Sequence, residues 1–470
     1  MPIFMQKLFA LTTALICALC LSACDLWERP VPAFEKSGEL VVITVNGADT
    51  FYEDAQGNYT GLEFDLASEF ARSLNLQARF VVVAHPDDVL PALIKHRGHL
   101  AAAGLTVQPA LQGQVRFGPG YQQVQAHVVY NTDTPRPDNL KALDGKTVRV
   151  VAGKGHNEML TAAREKNPWL KWDVARISSE DLLIETMEGK IDYAVADSTH
   201  VNLAKNLYPN LDTAFNLGLE TSRAWAFPPD ADAALLKKTR EFFQQIKQNG
   251  KLQQLLDRYY GHLKRLAAAD VSGILEKSRS HLPKLRKHFQ KGAEVTGIDW
   301  RLLAALGYQE SHWEALATSP TNVRGVMMLT EDTADRMKVT DRLDPAQSIL
   351  AGSRYLLLLK ESLPPRITEP DRTWMALAAY NIGMGHLEDA RVLAQRLGLN
   401  ANSWVDMKKA LPLLARSEYF ADLKHGYARG GEAVILAESI RTYYDILVKF
   451  EAPYPDADTK PSWLFWGGKL

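Results

Sequence analysis

The chain has 470 residues, 46% of them hydrophobic and 23% charged, which is ordinary for globular protein and enough for two or three domains. A formal net charge of −1 gives no basis for a nucleic-acid or strongly polyanionic partner. Cys17, Cys20 and Cys24 are the only cysteines, so the chain beyond them can form neither an internal disulfide nor a thiolate metal site.

Residues 1–23 read as a signal peptide. Lys7 supplies the positive region, and Leu8–Cys20 is apolar but short for a comfortable span. The run Leu21-Ser22-Ala23-Cys24 matches a bacterial lipobox, and that resemblance implies cleavage before Cys24 and its acylation. An ordinary signal peptide or an uncleaved anchor is the alternative. In each case the body of the protein lies beyond the inner membrane, and no other run of about 18 apolar residues suggests a further span. Residues 24–36, with Pro30 and Pro32, read as a tether.

From 37 to 264 the texture is α/β. Leu40–Val45, Phe80–Ala84, Leu100–Ala103, Thr147–Ala152 and Tyr193–Ala196 are strand candidates. Phe64, Ala67, Phe70, Ala71 and Leu74 recur at helical spacing, and Val89–Lys95 is a further helix. Strands alternating with helices predict parallel sheets.

Four stretches carry a resemblance here: Gly57–Leu66 (GNYTGLEFDL), Leu143–Val148 (LDGKTV), Glu188–Tyr193 (EGKIDY) with Ala196-Asp197-Ser198, and Asn249–Leu252 (NGKL) closing on Tyr259-Tyr260-Gly261. They resemble the extracellular solute-binding proteins that take polar amino acids. The resemblance implies two α/β lobes, a hinge and a cleft between them, with Asp197 as the ammonium partner. That family usually has Gly-Leu-Thr-x-Thr-x-x-Arg where this chain reads Gly104–Leu111 (GLTVQPAL). Leu111 stands where the Arg would clamp a ligand carboxylate, and a neutral side chain cannot make that bidentate pair. Free amino acids are therefore not expected to bind in the usual way. A muropeptide, a protein partner, another small ligand or none at all fit this cleft equally, and a pure scaffolding role is the plain alternative.

Residues 265–455 read as all-α, and 456–470, with Trp463 and Trp466, as a tail. Pro283–Gly292 is basic and helical. Ile298–Trp313 (IDWRLLAALGYQESHW) is the central helix, with Asp299 as N-cap. Leu303, Leu306 and Glu310 fall at i, i+3 and i+7, so Glu310 prolongs an apolar stripe. A carboxyl there would be partly desolvated, which raises its pKa toward what a general acid needs; a solvated Glu at a fraying helix end is the plain alternative. Gly307, one turn earlier, is expected to leave room for a bulky substrate. Asp344–Ile349 starts a further helix with Pro345 early in it, and Trp374–Tyr380 is an apolar helix delivering Tyr380 and Asn381.

In order, Glu310-Ser311, Gly325–Leu329 (GVMML), Ala379–Gly383 (AYNIG) and Tyr419 resemble the soluble lytic transglycosylases, whose fold is goose-lysozyme-like. Tyr427–Ala433 (YARGGEA) and Ile440-Arg441 with Tyr443-Tyr444 are similar to the F-type enzymes in particular. The expected architecture is thus a bilobal α/β periplasmic-binding-protein-like domain followed by an all-α goose-lysozyme-like domain. The resemblance implies a murein-degrading lyase acting on peptidoglycan glycan strands, with Glu310 as the catalytic acid and then base. Ser311 would bond the glycan or fix the helix end. Met327 and Met328 would meet sugar faces, while Tyr380, Asn381 and Tyr419 would bind the acetamido group, orient Glu310 or hold glycan. Plain core packing is the alternative for the methionines, and a helix stop for Tyr380-Asn381. Leu329 stands where the family more often has Gln. Glu314, Glu331, Asp332 and His312 read as surface groups. Relatives are placed at the inner leaflet of the outer membrane, whereas Asp25 is a residue that favours the inner membrane in enteric bacteria. With no His-Glu-x-x-His, paired His/Cys cluster or phosphate loop, no metal or cofactor is expected. Two other functions remain: a solute-binding or sensor lipoprotein with an inactive lysozyme-like domain, and a hydrolytic lysozyme, which would want a second carboxylate.

Overall fold

The computed structural model describes residues 30–47, 49–53, 58–263, 266–319 and 322–454. The expected signal peptide, Cys24, Asp25 and the tail tryptophans lie outside the described residues. Among the described residues, no helix is long and apolar enough to cross a membrane.

The N-terminal part holds two five-stranded sheets. The first is built from β1 (Glu39–Val45), β2 (Gln77–Val83), β3 (Leu100–Ala101), β4 (Arg116–Phe117) and, late in the chain, β10 (Ala226–Phe227), in the order β2-β1-β3-β10-β4. The continuous Leu40–Val45 run is buried along its whole length, as a strand covered on both faces must be. Val42 lies opposite Phe80 on one side and Leu100 on the other. The second sheet comprises β5 (Gln122–Asn131), β6 (Val148–Val151), β7 (Asp173–Ala175), β8 (Tyr193–Asp197) and β9 (Leu211–Arg223), in the order β9-β5-β8-β6-β7.

The sheets are mixed rather than parallel as expected. β1 pairs in parallel with β2 and β3, but β10 runs antiparallel to β3 and β4. In the second sheet β5 is antiparallel to both β8 and β9. The cause is topological: the chain enters the second lobe along β5 and returns to the first along β9, and these two strands pair with each other. Neither announces itself as an apolar run. β5 alternates buried and half-buried residues, with Gln123, Gln125 and His127 interleaved among Val124, Ala126 and Val128.

After α1 (Lys251–Tyr260) the chain is helical: α2 (Leu282–Thr296), α3 (Trp300–Ser311), α4 (Pro345–Ser362), α5 (Asp371–Ile382) and α6 (Gly430–Phe450) surround one core. α3 is the axis. Asp299 accepts from the Arg301 backbone N–H at 2.9 Å, a cap worth about 1 kcal/mol. Every residue of α3 is buried except Gln309 and Glu310, so only its last turn reaches a surface. His312 and Trp313, both left-handed (φ 51° and 62°), stop the helix there, and the Trp313 indole N–H ties back to Ala304 O at 2.8 Å.

The two parts meet through buried charge. Arg441 of α6 donates to the carbonyls of Asp257 (3.1 Å) and Arg258 (3.0 Å) in α1. Lys408 bonds the Asp257 carboxylate. Gln254 of α1 reaches Asp371, at the start of α5, at 3.2 Å. A single helix, α5, therefore runs from this seam to Tyr380 and Asn381.

Candidate active site

Glu310 sits at the C-terminal end of α3, half-buried, and among the described residues its carboxyl has no hydrogen-bond or ion-pair partner. Burial alone pushes it from 4.5 to about 8. With no cation beside it to favour the anion, the carboxyl holds its proton at neutral pH.

The Gly325–Leu329 loop beside it is clamped from three helices. Ser311 of α3 donates to Val326 O at 2.8 Å, and also to Gly307 O at 3.1 Å. Ser348 of α4 accepts from Met327 N–H at 3.2 Å. Tyr380 of α5 donates its phenol proton to Met327 O at 2.9 Å. Arg342 adds a bond to Leu329 O at 3.1 Å. Gly325 is required at the tightest point: with φ 83°, a Cβ there would lie 1.9 Å from Arg342 O. Burial, then the charge of Glu310, pushes the Tyr380 phenol far above its ordinary range, so it remains a donor.

Several residues take places other than those expected. Met327 is 0% exposed, and its side chain fills the space above Gly352. Gly307 is likewise occupied by protein, since a Cβ there would meet Phe289 at 3.0 Å and Met327 Sδ at 3.3 Å; it admits core side chains, not substrate. Leu329 is 1% exposed, so that position cannot present a polar sugar contact. Met328 is the half-buried methionine of the loop, held left-handed at φ 44°, a conformation that costs a non-glycine residue about 1–2 kcal/mol. Asn381 is exposed at the end of α5, and Tyr419 is half-buried against the same core. Glu314, Glu331, Asp332 and His312 are exposed, and Glu314 pairs with Lys277 at 2.7 Å. Sequence reasoning did not single out Ser348, Gly352 and Tyr355, which form the wall of α4 behind the loop; their i, i+4, i+7 spacing was the available signal.

The cleft between the α/β lobes is filled by the chain's own charges. Arg223, at the end of β9 and 1% exposed, donates to Asp49 of the first lobe at 2.7 Å and to Thr199 of the second at 2.9 Å. Asp197 lies 3.0 Å from His156 Nε2 and 3.6 Å from Arg223 Nη2. Burial would raise Asp197, but His156 and then Arg223 hold it far below the usual carboxylate range. Asp49 is likewise held low by His200 (3.3 Å) and Arg223 against the effect of its burial. Leu111 is half-buried and packs against the apolar cluster of the first lobe that contains Val45, Val89, Leu93 and Val115. The cleft does contain a guanidinium, but it comes from Arg223.

A half-buried, unpartnered carboxyl over a rigid glycine-methionine loop, joined to a bilobal solute-binding fold, defines a lytic transglycosylase carrying a second, periplasmic-binding-protein-like domain. The Transglycosylase SLT domain family matches residues 287–401, and bacterial extracellular solute-binding proteins, family 3, matches residues 40–262. Membrane-bound lytic murein transglycosylase F of Nitrosospira multiformis is 58% identical over 93% of this chain and 91% of its own length. Its counterpart in Methylobacillus flagellatus is 47% identical over 92% of this chain and 93% of its own. Among solved structures, the P235GK mutant of ArgBP from T. maritima matches with a TM-score of 0.44 and 24% identity, over 48% of this chain and 97% of that one. The chain belongs to the membrane-bound lytic murein transglycosylase F family.

Proposed function

We propose that this transglycosylase cuts the β-1,4 bond from N-acetylmuramic acid to N-acetylglucosamine in peptidoglycan, with Glu310 as the single catalytic group. The observation that carries this reading is the half-buried Glu310 carboxyl, which has no partner among the described residues and whose burial raises its pKa to about 8. Glu310 gives its proton to the bridging oxygen as the C1–O bond breaks. The muramyl 2-acetamido group stabilises the oxocarbenium-like centre, which a second carboxylate does in ordinary glycosidases. The Glu310 carboxylate then takes the proton from the same sugar's C6 hydroxyl as O6 bonds to C1. The product is a 1,6-anhydromuramoyl end; no water is consumed, and Glu310 is again protonated.

The remaining residues divide between support and contact. Ser311 and Tyr380 hold the loop. Met328, Asn381 and Tyr419 line the glycan path. A hydrolytic lysozyme reading has less support, because Glu314, Glu331 and Asp332 are all exposed.

The α/β domain is non-catalytic and regulates or positions the helical one, within proposed limits of 37–264 and 265–455. Its cleft is filled by Arg223, so free amino acids are poor candidates; a muropeptide or other small ligand would have to displace that guanidinium. The relatives' designation as membrane-bound supports attachment on the periplasmic side. Acylated Cys24 is the proposed anchor, at the inner leaflet of the outer membrane, with Asp25 as the argument for the inner membrane. Mass spectrometry of fragments released from purified sacculi tests the reaction: the ends should be lighter by one water than hydrolysis products, and Glu310→Gln should release none while remaining folded. Hydrated ends would make the protein a lysozyme, and no fragments from the unmodified chain would favour the sensor.

A further inference from the structure

The phenol proton of Tyr380 is committed to Met327 O at 2.9 Å. A phenol has one proton to donate, so Tyr380 has none left for a saccharide. Tyr355 lies one ring further along the same wall. It comes from α4, and its ring packs against Tyr380 with centroids 5.4 Å apart and planes tilted by 59°.

The position of Tyr355 on its helix matters. Ser348, Gly352 and Tyr355 fall at i, i+4 and i+7, which places them on one face of α4. Ser348 accepts from Met327 N–H, and Gly352 gives the Met327 side chain its space. That face is therefore the one turned toward the loop beside Glu310, and Tyr355 is its next member. Tyr355 is half-buried, yet among the described residues its hydroxyl has no hydrogen-bond partner. The ring is partly covered while the hydroxyl still reaches solvent, so the phenol is open to an incoming ligand. Ser311, Ser348 and Tyr380 are all engaged with the loop backbone. Among the described residues, the Tyr355 hydroxyl on this wall is uncommitted.

We propose that Tyr355 is a substrate-binding residue whose hydroxyl donates to an oxygen of the N-acetylated sugar seated beside Glu310. The inference rests on the reading of the Glu310 cleft as the glycan site. Tyr380 shapes the loop, and Tyr355 meets the sugar.

The test uses the full chain. Tyr355→Phe keeps the ring and its packing on Tyr380 and removes only the hydroxyl. Loss of one neutral hydrogen bond should raise KM on sacculi about three- to ten-fold, with kcat within about two-fold and the melting temperature unchanged. In a Glu310→Gln background, which separates binding from turnover, calorimetry with N-acetylchitohexaose should show affinity weakened by the same factor on adding Tyr355→Phe. Tyr380→Phe should differ, lowering kcat and melting temperature together because it frees the Met327 carbonyl. Native KM and native hexasaccharide affinity in Tyr355→Phe would overturn the proposal. So would a fall in kcat and melting temperature at constant KM, which marks a merely structural role. If Glu310→Gln still cleaved sacculi, the reading of the cleft would fail instead, and the hexasaccharide titration would still decide on Tyr355.

Discussion

Replacing Glu310 by Gln should stabilise the folded chain, and increasingly so as pH rises. The carboxyl titrates near 4.5 when exposed and at about 8 in the folded site. Between those values the native state binds a proton that the unfolded chain has lost. Stability therefore falls as pH rises from about 4.5 to about 8, then stays level. The penalty integrates to roughly 4–5 kcal/mol above pH 8. Glu310 is partly accessible to solvent, so about 3 kcal/mol is the working figure. Gln mimics the protonated form at every pH and carries no such penalty. For a domain of this size, 1 kcal/mol moves the melting temperature by about 2–4 °C. Scanning calorimetry at pH 8.5 should thus place the helical-domain transition of Glu310→Gln about 6–12 °C above that of the unmodified chain. At pH 5 the gap should close to about 2–3 °C. A gap that did not change with pH, or a variant that melted lower at pH 8.5, would refute the idea that burial sets the protonation of Glu310. The same titration predicts that kcat/KM falls as pH rises through about 8, where the acid form disappears.

Further outcomes follow from the same contacts. Gly325→Ala should cost about 3 kcal/mol or more, from the collision with Arg342 O and the strained φ, and lower kcat at least about tenfold by displacing the loop; thermal melting and turnover on sacculi check both. Ser311→Ala leaves the buried Val326 carbonyl short of a donor and should cost about 1–3 kcal/mol in the helical-domain transition. Arg223→Met removes the cation shared by Asp49 and Asp197 and should destabilise the α/β domain by about 3–5 kcal/mol at pH 7, visible as a lowered first transition in chemical denaturation. Titration calorimetry of the unmodified chain with free amino acids should give no heat of binding, and micromolar affinity for any one of them would contradict the assignment of Arg223 as the cleft's occupant.

What the sequence made legible was whatever depended on local pattern. The Leu40–Val45 run, the Asp299 cap and the stripe through Leu303 and Leu306 are short-range signals, and each is found where expected. Helical spacing puts Glu310 at the end of that stripe, but spacing alone also fits a solvated Glu at a helix end; the ordered motifs that resemble the transglycosylases singled it out. What stayed hidden depended on pairing across the chain. β5 and β9 look polar in sequence because each shows one face to the core, and their antiparallel pairing follows from the route of the chain between lobes. Arg223 lies far from Asp49 in sequence, so the filled cleft could not be read from either segment. Gly307 and Met327 misled for a related reason. A small residue suggests room for a ligand and a flexible one an adaptable contact with it, but here Gly307, Met327 and Phe289 pack together.

Glu310 itself offers the most direct test. Infrared difference spectra between the unmodified chain and Glu310→Gln, recorded across a pH titration, isolate the C=O stretch of this one protonated carboxyl. Burial of Glu310 predicts a band that persists through pH 7 and is lost around pH 8. A band already gone by pH 5 would mean an ordinary, solvated carboxylate, and the lone-acid mechanism built on it could not stand.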